Sequence, residues 1–173
     1  MEFLNSIKEM IPDYAKDIRL NIDGTIARSS LEGNDAVGVA LAAAFAAKSR
    51  KIIDVIQASG ALSPEEIHAV FTASALMGMN NVWYPFVEMA DDADLKSQPA
   101  QLRMNAYATN GGVDKRRFEM YALAASIVGK CHFCVKSHFG LLRKEGMSSQ
   151  QLRDVGRIAA VINAASQVIA ASD

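Results

Sequence analysis

Asp114 to His138 reads D-K-R-R-F-E-M-Y-A-L-A-A-S-I-V-G-K-C-H-F-C-V-K-S-H, and two successive helices follow from it. Asp114 is a good N-cap, and Phe118, Tyr121, Leu123, Ala125 and Val128 spread apolar surface around much of the helix it opens, predicted over 115–128. Gly129 closes that helix. A second helix is predicted from about Cys131 to Glu145, with Gly146 as its stop. Both cysteines of the chain and two of its three histidines fall within residues 129–138.

The same helical punctuation extends outward in both directions. Ser148 to Gln151 forms a capping box for a final helix to Ala171. On the other side, Pro99 is predicted to open a helix to about Thr109, halted by Asn110-Gly111-Gly112, and Asp91 to Gln98 reads as a polar connection. Ser63-Pro64-Glu65-Glu66 is another capping box with Pro at the first helical position. The long helix it starts is predicted to reach Asn80 or Trp83, with Pro85 ending or bending it. Before that come an Ala-rich helix at roughly 34–47, apolar on nearly every side, and a short one at 51–59 ending at Gly60. A helix apolar all round belongs inside. A loop from Asp23-Gly24 through Ser29-Ser30 precedes it, and residues 2–20 read as one or two short helices around Pro12, with Pro in the first turn of the second. Strand signals are scarce, so the expected fold is all-α, a single-domain helical bundle over 1–173.

An internal echo divides this bundle. Ala40-Leu41-Ala42-Ala43 and Lys48 stand 82 positions before Ala122-Leu123-Ala124-Ala125 and Lys130, and the capping boxes at Ser63 and Ser148 align after a shift of three. The expectation is two related helical halves, about 1–98 and about 99–173. Ser49, Ile52 and Ile56 stand where Cys131, Cys134 and His138 stand, so the first half carries no chemistry. Coincidence between two Ala-rich helices is the alternative.

The chain has 173 residues, half of them hydrophobic, and a net charge of -1 with acids and bases interspersed. Nothing in that balance steers it toward nucleic acid or an anionic membrane. Met1 to Met10 contains Glu2 and Glu9 and lacks the basic and long apolar regions of a secretory signal. The longest apolar run, 36–47, is too short for a bilayer core of about 30 Å. A cytoplasmic location is expected, where neighbouring cysteines are redox-active or metal-binding rather than structural staples.

On a helix, Cys131, Cys134 and His138 occupy i, i+3 and i+7 and fall within about 60° of one face. A C-x-x-C pair opening a helix can close a small disulfide, and the helix dipole favours a thiolate there. His138 can exchange a proton with Cys134, which makes Cys134 the better nucleophile. Glu119, in the preceding helix, can reach over the site in a hairpin about Gly129 and hold the other imidazole nitrogen. Two alternatives stay open. A metal site would have three good ligands, with His132 or Glu119 as a fourth, or the thiols are buried and inert. His68, lone on the long helix, reads as an ordinary histidine, and the Met77-Gly78-Met79 and Trp83-Tyr84 cluster reads as packing or subunit contact.

The run Phe118-Glu119 followed by Cys131-x-x-Cys134-x-x-x-His138 resembles the alkyl hydroperoxidase D family, within the broader carboxymuconolactone decarboxylase-like fold. The likeness extends to Pro12-Asp13-Tyr14-Ala15-Lys16-Asp17-Ile18, Met77-Gly78-Met79-Asn80-Asn81-Val82 and Leu102-Arg103-Met104-Asn105. It implies an all-helical homo-oligomer, a trimer or a multiple of one, with antioxidant disulfide reductase and peroxidase activity toward alkyl hydroperoxides. Electrons would come from dihydrolipoamide on a lipoylated dihydrolipoamide acyltransferase and pass to a peroxiredoxin-type alkyl hydroperoxide reductase. No metal and no tightly bound cofactor are implied. By position, Cys134 would become the sulfenic acid or mixed disulfide, Cys131 would resolve it and donate a proton, and Glu119 and His138 would relay protons. One departure stands out: the family places a histidine directly before the second cysteine, where this chain has Phe133. His132 lies one residue earlier, turned by about 100°, and is kept as an auxiliary. Two rivals remain: a decarboxylase-like enzyme of the same fold acting on a cyclic lactone through His138 and Glu119, and a non-enzymatic metal-binding or redox-sensing module.

Overall fold

In chain order, the computed structural model, which describes residues 1–172, comprises α1 (Phe3–Glu9), α2 (Lys16–Ile22), α3 (Gly33–Ala46), α4 (Arg50–Ala58), α5 (Pro64–Ala90), α6 (Ala93–Ser97), α7 (Asn105–Ala108), α8 (Lys115–Val128), α9 (His132–Lys144) and α10 (Ser149–Ala171). Short 3-10 turns occupy 13–15 and 110–112, and a π-helical turn fills 23–27, where the sequence predicts a loop. No strand occurs among the described residues, so the fold is all-α as expected.

The two Ala-rich helices α3 and α8 form the centre. Every residue from Asp35 to Ala44 on α3 is buried, as is every residue from Phe118 to Ser126 on α8. Small side chains let the two helices approach closely: a Cβ on Gly38 of α3 would overlap the ring of Tyr121 on α8. Helices α5 and α10 each pack against both central helices, while α4 packs on α3 and α9 on α8. Arg117 of α8 fastens this arrangement. Its guanidinium lies 3.0 Å from buried Asp35 of α3 and 2.8 Å from Glu66 of α5.

The turns that follow α3 and α8 are alike. Helix α3 begins at 33 and α8 at 115, 82 positions later, and the turns that follow match bond for bond. Ser49 N–H donates to the Ala44 carbonyl at 3.0 Å and Cys131 N–H to the Ser126 carbonyl at 3.2 Å. Lys48 and Lys130 both take left-handed φ, 60° and 56°. Both predicted capping boxes are present, at Ser63 and at Ser148.

Two expected boundaries shift. Helix α5 runs through Pro85 to Ala90 and ends at Asp91 in the left-handed region. Proline there removes only the ladder bond to the Asn81 carbonyl, at a point where α5 has left the core, since Val82, Phe86 and Met89 are all exposed. The helix predicted over 99–109 is confined to Asn105–Ala108. Gln98, before Pro99, is extended with ψ 138°, and Gln101 has φ 51°, so no helix can pass. The connection at 91–98 instead contains α6, capped by Asp92. Pro12 is itself extended and caps the turn at 13–15 rather than lying within a helix.

Candidate active site

The turn between α8 and α9 presents the first cysteine. Gly129 keeps helical backbone with φ -73°, and Lys130 supplies the left-handed residue. Gly129 is required for another reason: a Cβ there would collide with the side chain of Asn81, whose Nδ2 donates to the Ala125 carbonyl at 3.0 Å. Cys131 follows as the N-cap of α9, just outside the helix rather than in its first turn as the sequence predicts. Its Sγ accepts the backbone N–H of Cys134 at 3.2 Å, so a sulfur occupies the place of a capping oxygen. The Asn80 carbonyl lies 4.0 Å from the same sulfur. The two cysteines are joined as a disulfide with Cα atoms 5.3 Å apart, and both are buried.

Beside the cysteines, α8 and α9 place Glu119 against His138. Oε2 of Glu119 lies 2.6 Å from Nδ1 of His138, with both side chains buried. The hairpin therefore brings Glu119 over the site as predicted. Oε1 of Glu119 accepts the hydroxyl of Tyr107, from α7. Burial, and then the adjoining Glu119 carboxylate, push the Tyr107 hydroxyl far above its ordinary pKa and keep it a donor. With both carboxylate oxygens acting as acceptors, Nδ1 carries the imidazole proton toward Glu119, and Nε2 is the free nitrogen. Nε2 lies 3.1 Å from Sδ of Met77. Among the described residues no hydrogen bond joins His138 to Cys134; both line one cavity instead.

That cavity holds about 140 Å³. Met77, Cys134 and His138 are buried in its wall, with Tyr107 and Met104 beside them, and exposed Phe133 and Ser137 form its rim. The Phe133 ring stacks on Tyr84 with centroids 4.2 Å apart. The volume is enough for a few waters or a small peroxide group, placed between a sulfur and an imidazole held by a carboxylate. Such a set can activate a thiol and move its proton.

Four of the predicted residues converge: Cys131, Cys134, His138 and Glu119. His132 does not join them. Its side chain is 82% exposed, 3.4 Å from Glu88 on the surface, and absent from the cavity wall. His68 is an exposed residue of α5. Tyr107 and Met77 are the residues that sequence reasoning missed. Met77 stood in a run read as packing, and Tyr107 stood in a segment assigned to an uninterrupted helix, where nothing marked its hydroxyl. Among the described residues no three His, Cys, Asp or Glu side chains cluster as metal ligands.

Known proteins resemble the chain closely. The model of the carboxymuconolactone decarboxylase family matches residues 93–173. A protein of Coxiella burnetii named alkyl hydroperoxide reductase AhpD is 39% identical over 170 residues, covering 95% of this chain and 96% of the relative. Proteins of the same name from Rhodospirillum centenum and Hyphomonas neptunium are each 42% identical, covering 96% and 97% of this chain and 90% and 94% of their own lengths.

Proposed function

Because the chain belongs to the AhpD family of alkyl hydroperoxide reductases, within the carboxymuconolactone decarboxylase superfamily, we propose that it is an antioxidant thiol-dependent hydroperoxidase and disulfide reductase. The observation that carries this reading is the Cys131–Cys134 pair set beside the Tyr107–Glu119–His138 chain, with Cys134, Tyr107 and His138 lining one cavity.

In the reduced protein, His138 takes the proton of Cys134, directly or through a water in the cavity. The Cys134 thiolate attacks the terminal oxygen of a hydroperoxide, and the O–O bond breaks. Sulfenic acid forms on Cys134, and the departing alkoxide takes the proton from His138 to leave as alcohol. Cys131 then attacks the Cys134 sulfur, water departs, and the disulfide forms. A dithiol restores both thiols by exchange. Attack on Cys134 from the cavity expels Cys131 as a thiolate, which the Cys134 N–H and the N-terminal end of α9 already favour.

Dihydrolipoamide, carried by a lipoylated dihydrolipoamide acyltransferase, is the proposed electron donor, and a peroxiredoxin-type alkyl hydroperoxide reductase the proposed acceptor beside alkyl hydroperoxides themselves. A cycling pair of this kind needs a reducing compartment, so we place the protein in the cytoplasm; no described helix is long and apolar enough to cross a membrane. Val82, Phe86 and Met89 fall at i, i+4 and i+7 on the outer face of α5, and Phe133 and Phe139 are also exposed. This apolar surface supports assembly into a homo-oligomer, a trimer or a multiple of one.

Hydroperoxide consumption driven by dihydrolipoamide, with and without the peroxiredoxin partner, tests the proposal. Turnover is expected with wild type and abolished in Cys134→Ser. The family match over 93–173 favours one other reading, a decarboxylase-like enzyme using His138 and Glu119. Turnover that survives alkylation of both thiols would select it.

A further inference from the structure

The cavity beside Cys134 holds a second oxidisable sulfur, the Met77 thioether, which touches the one imidazole nitrogen that Glu119 leaves free. We propose that Met77 is a site of peroxide oxidation whose sulfoxide stops the Cys134 cycle when reductant runs short. This rests on the cavity being a hydroperoxide site.

Met77 is closed off from bulk solvent, but it belongs to the wall of the cavity that Cys134 also lines, so a hydroperoxide held against Cys134 lies beside the Met77 side chain. While Cys134 is a thiolate, it is the far better nucleophile. Once the Cys131–Cys134 disulfide has formed, no thiolate competes. The Met77 sulfur lone pair then attacks the terminal hydroperoxide oxygen and the O–O bond breaks. The oxygen stays on sulfur as sulfoxide, and the alkoxide takes back the hydroperoxide's own proton to leave as alcohol. No further reductant is needed.

The consequence follows from the 3.1 Å separation of Sδ and Nε2. A thioether is a weak acceptor. A sulfoxide oxygen is a strong one, and because Sδ and Nε2 already touch, the oxidised side chain must draw back by somewhat under about 1 Å for that oxygen to take a hydrogen from Nε2 at an ordinary distance. His138 would then donate from Nδ1 to Glu119 and from Nε2 to the sulfoxide, leaving no lone pair for the Cys134 proton. Met104 lines the same cavity, but its sulfur accepts from Asn80 Nδ2 at 3.5 Å and does not touch the imidazole.

The test treats the disulfide form with excess tert-butyl hydroperoxide, then restores the thiols with dihydrolipoamide. Peptide mass mapping, turnover and the His138 proton NMR titration are measured on each sample. One oxygen is expected on Met77 ahead of Met120, which is equally buried but does not line that cavity. Turnover should fall in proportion to Met77 sulfoxide, by about a hundredfold when oxidation is complete, as for a lost proton-transfer group, and the His138 titration should move to higher pH. Met77→Leu should hold its own starting rate through the same treatment. Oxidation of Met77 no faster than Met120 would overturn the proposal. So would complete Met77 oxidation with the titration unmoved, or inactivation that tracks sulfinic acid on Cys134. Absence of any starting turnover would count against the hydroperoxidase reading, and the mapping and titration would still decide the role of Met77.

Discussion

Glu119 and His138, 19 residues apart on α8 and α9, meet with Oε2 and Nδ1 2.6 Å apart beside the Cys134 cavity. Glu119→Gln keeps the size of the side chain and removes one of its two acceptors, so His138 loses the partner that fixes its tautomer. Turnover with hydroperoxide is expected to fall about a hundredfold, the usual reach of a general base. Steady-state kinetics beside a thermal melt will separate lost chemistry from lost structure.

Tyr107 completes the chain from the other side of the carboxylate. Tyr107→Phe leaves Oε1 without its donor at a cost of about 1–3 kcal/mol. A hydrogen bond donated to a carboxylate favours its ionised form, so the acid limb of the pH–rate profile should move to higher pH in the variant. A purely structural role would lower the melting temperature and leave that limb in place.

The Phe133–Tyr84 stack shapes the rim. Since Phe133 is 54% exposed, Phe133→Ala should change stability by less than about 1 kcal/mol. It should raise KM severalfold for bulky aromatic hydroperoxides, in line with the roughly 0.5–1.5 kcal/mol of an aromatic contact. KM for hydrogen peroxide, which cannot use the stack, should move much less.

Gly129→Ala should be disruptive although its backbone suits alanine, because the new Cβ displaces Asn81 and with it the 3.0 Å bond to the Ala125 carbonyl. We expect a loss of about 1–3 kcal/mol, measured by denaturant unfolding. Gly156→Ala, where a Cβ meets nothing within 4 Å, should not destabilise.

Asp154, buried on α10, governs acid stability away from the site. Burial pushes its carboxyl up, but bonds from the Ser30 N–H and hydroxyl and from Arg157 and Arg153 outweigh it and hold the pKa at about 2. A carboxylate depressed on folding contributes stability above its unfolded pKa, near 4, and loses it as pH falls toward 2. The contribution is of the order of 2 kcal/mol. Asp154→Asn should therefore lower the melting temperature at pH 7 and flatten its fall between about pH 4 and 2.

The helices around the site were legible because each carries a local signal: capping boxes at Ser63 and Ser148, an Asp114 cap, and a C-x-x-C at a helix start. Glu119 was legible for the same reason, as an acid in a buried apolar run one hairpin away from the histidine. Tyr107 and Met77 were not, since their roles depend on long-range placement. Tyr107 lies beyond Gln101, whose left-handed φ breaks the expected helix. Met77 contacts His138 across 61 residues, and nothing in its own neighbourhood distinguishes it from packing. His132 shows the converse, since closeness in sequence to both cysteines still leaves it on the surface.

The central claim is that Cys134 is the sulfur peroxide oxidises. Cys131→Ser, which cannot close the disulfide, should be treated with one equivalent of hydroperoxide and a sulfenic acid trap, and the peptides mapped by mass. The trap is predicted on Cys134. An unlabelled Cys134 in protein that has consumed the hydroperoxide would contradict the account.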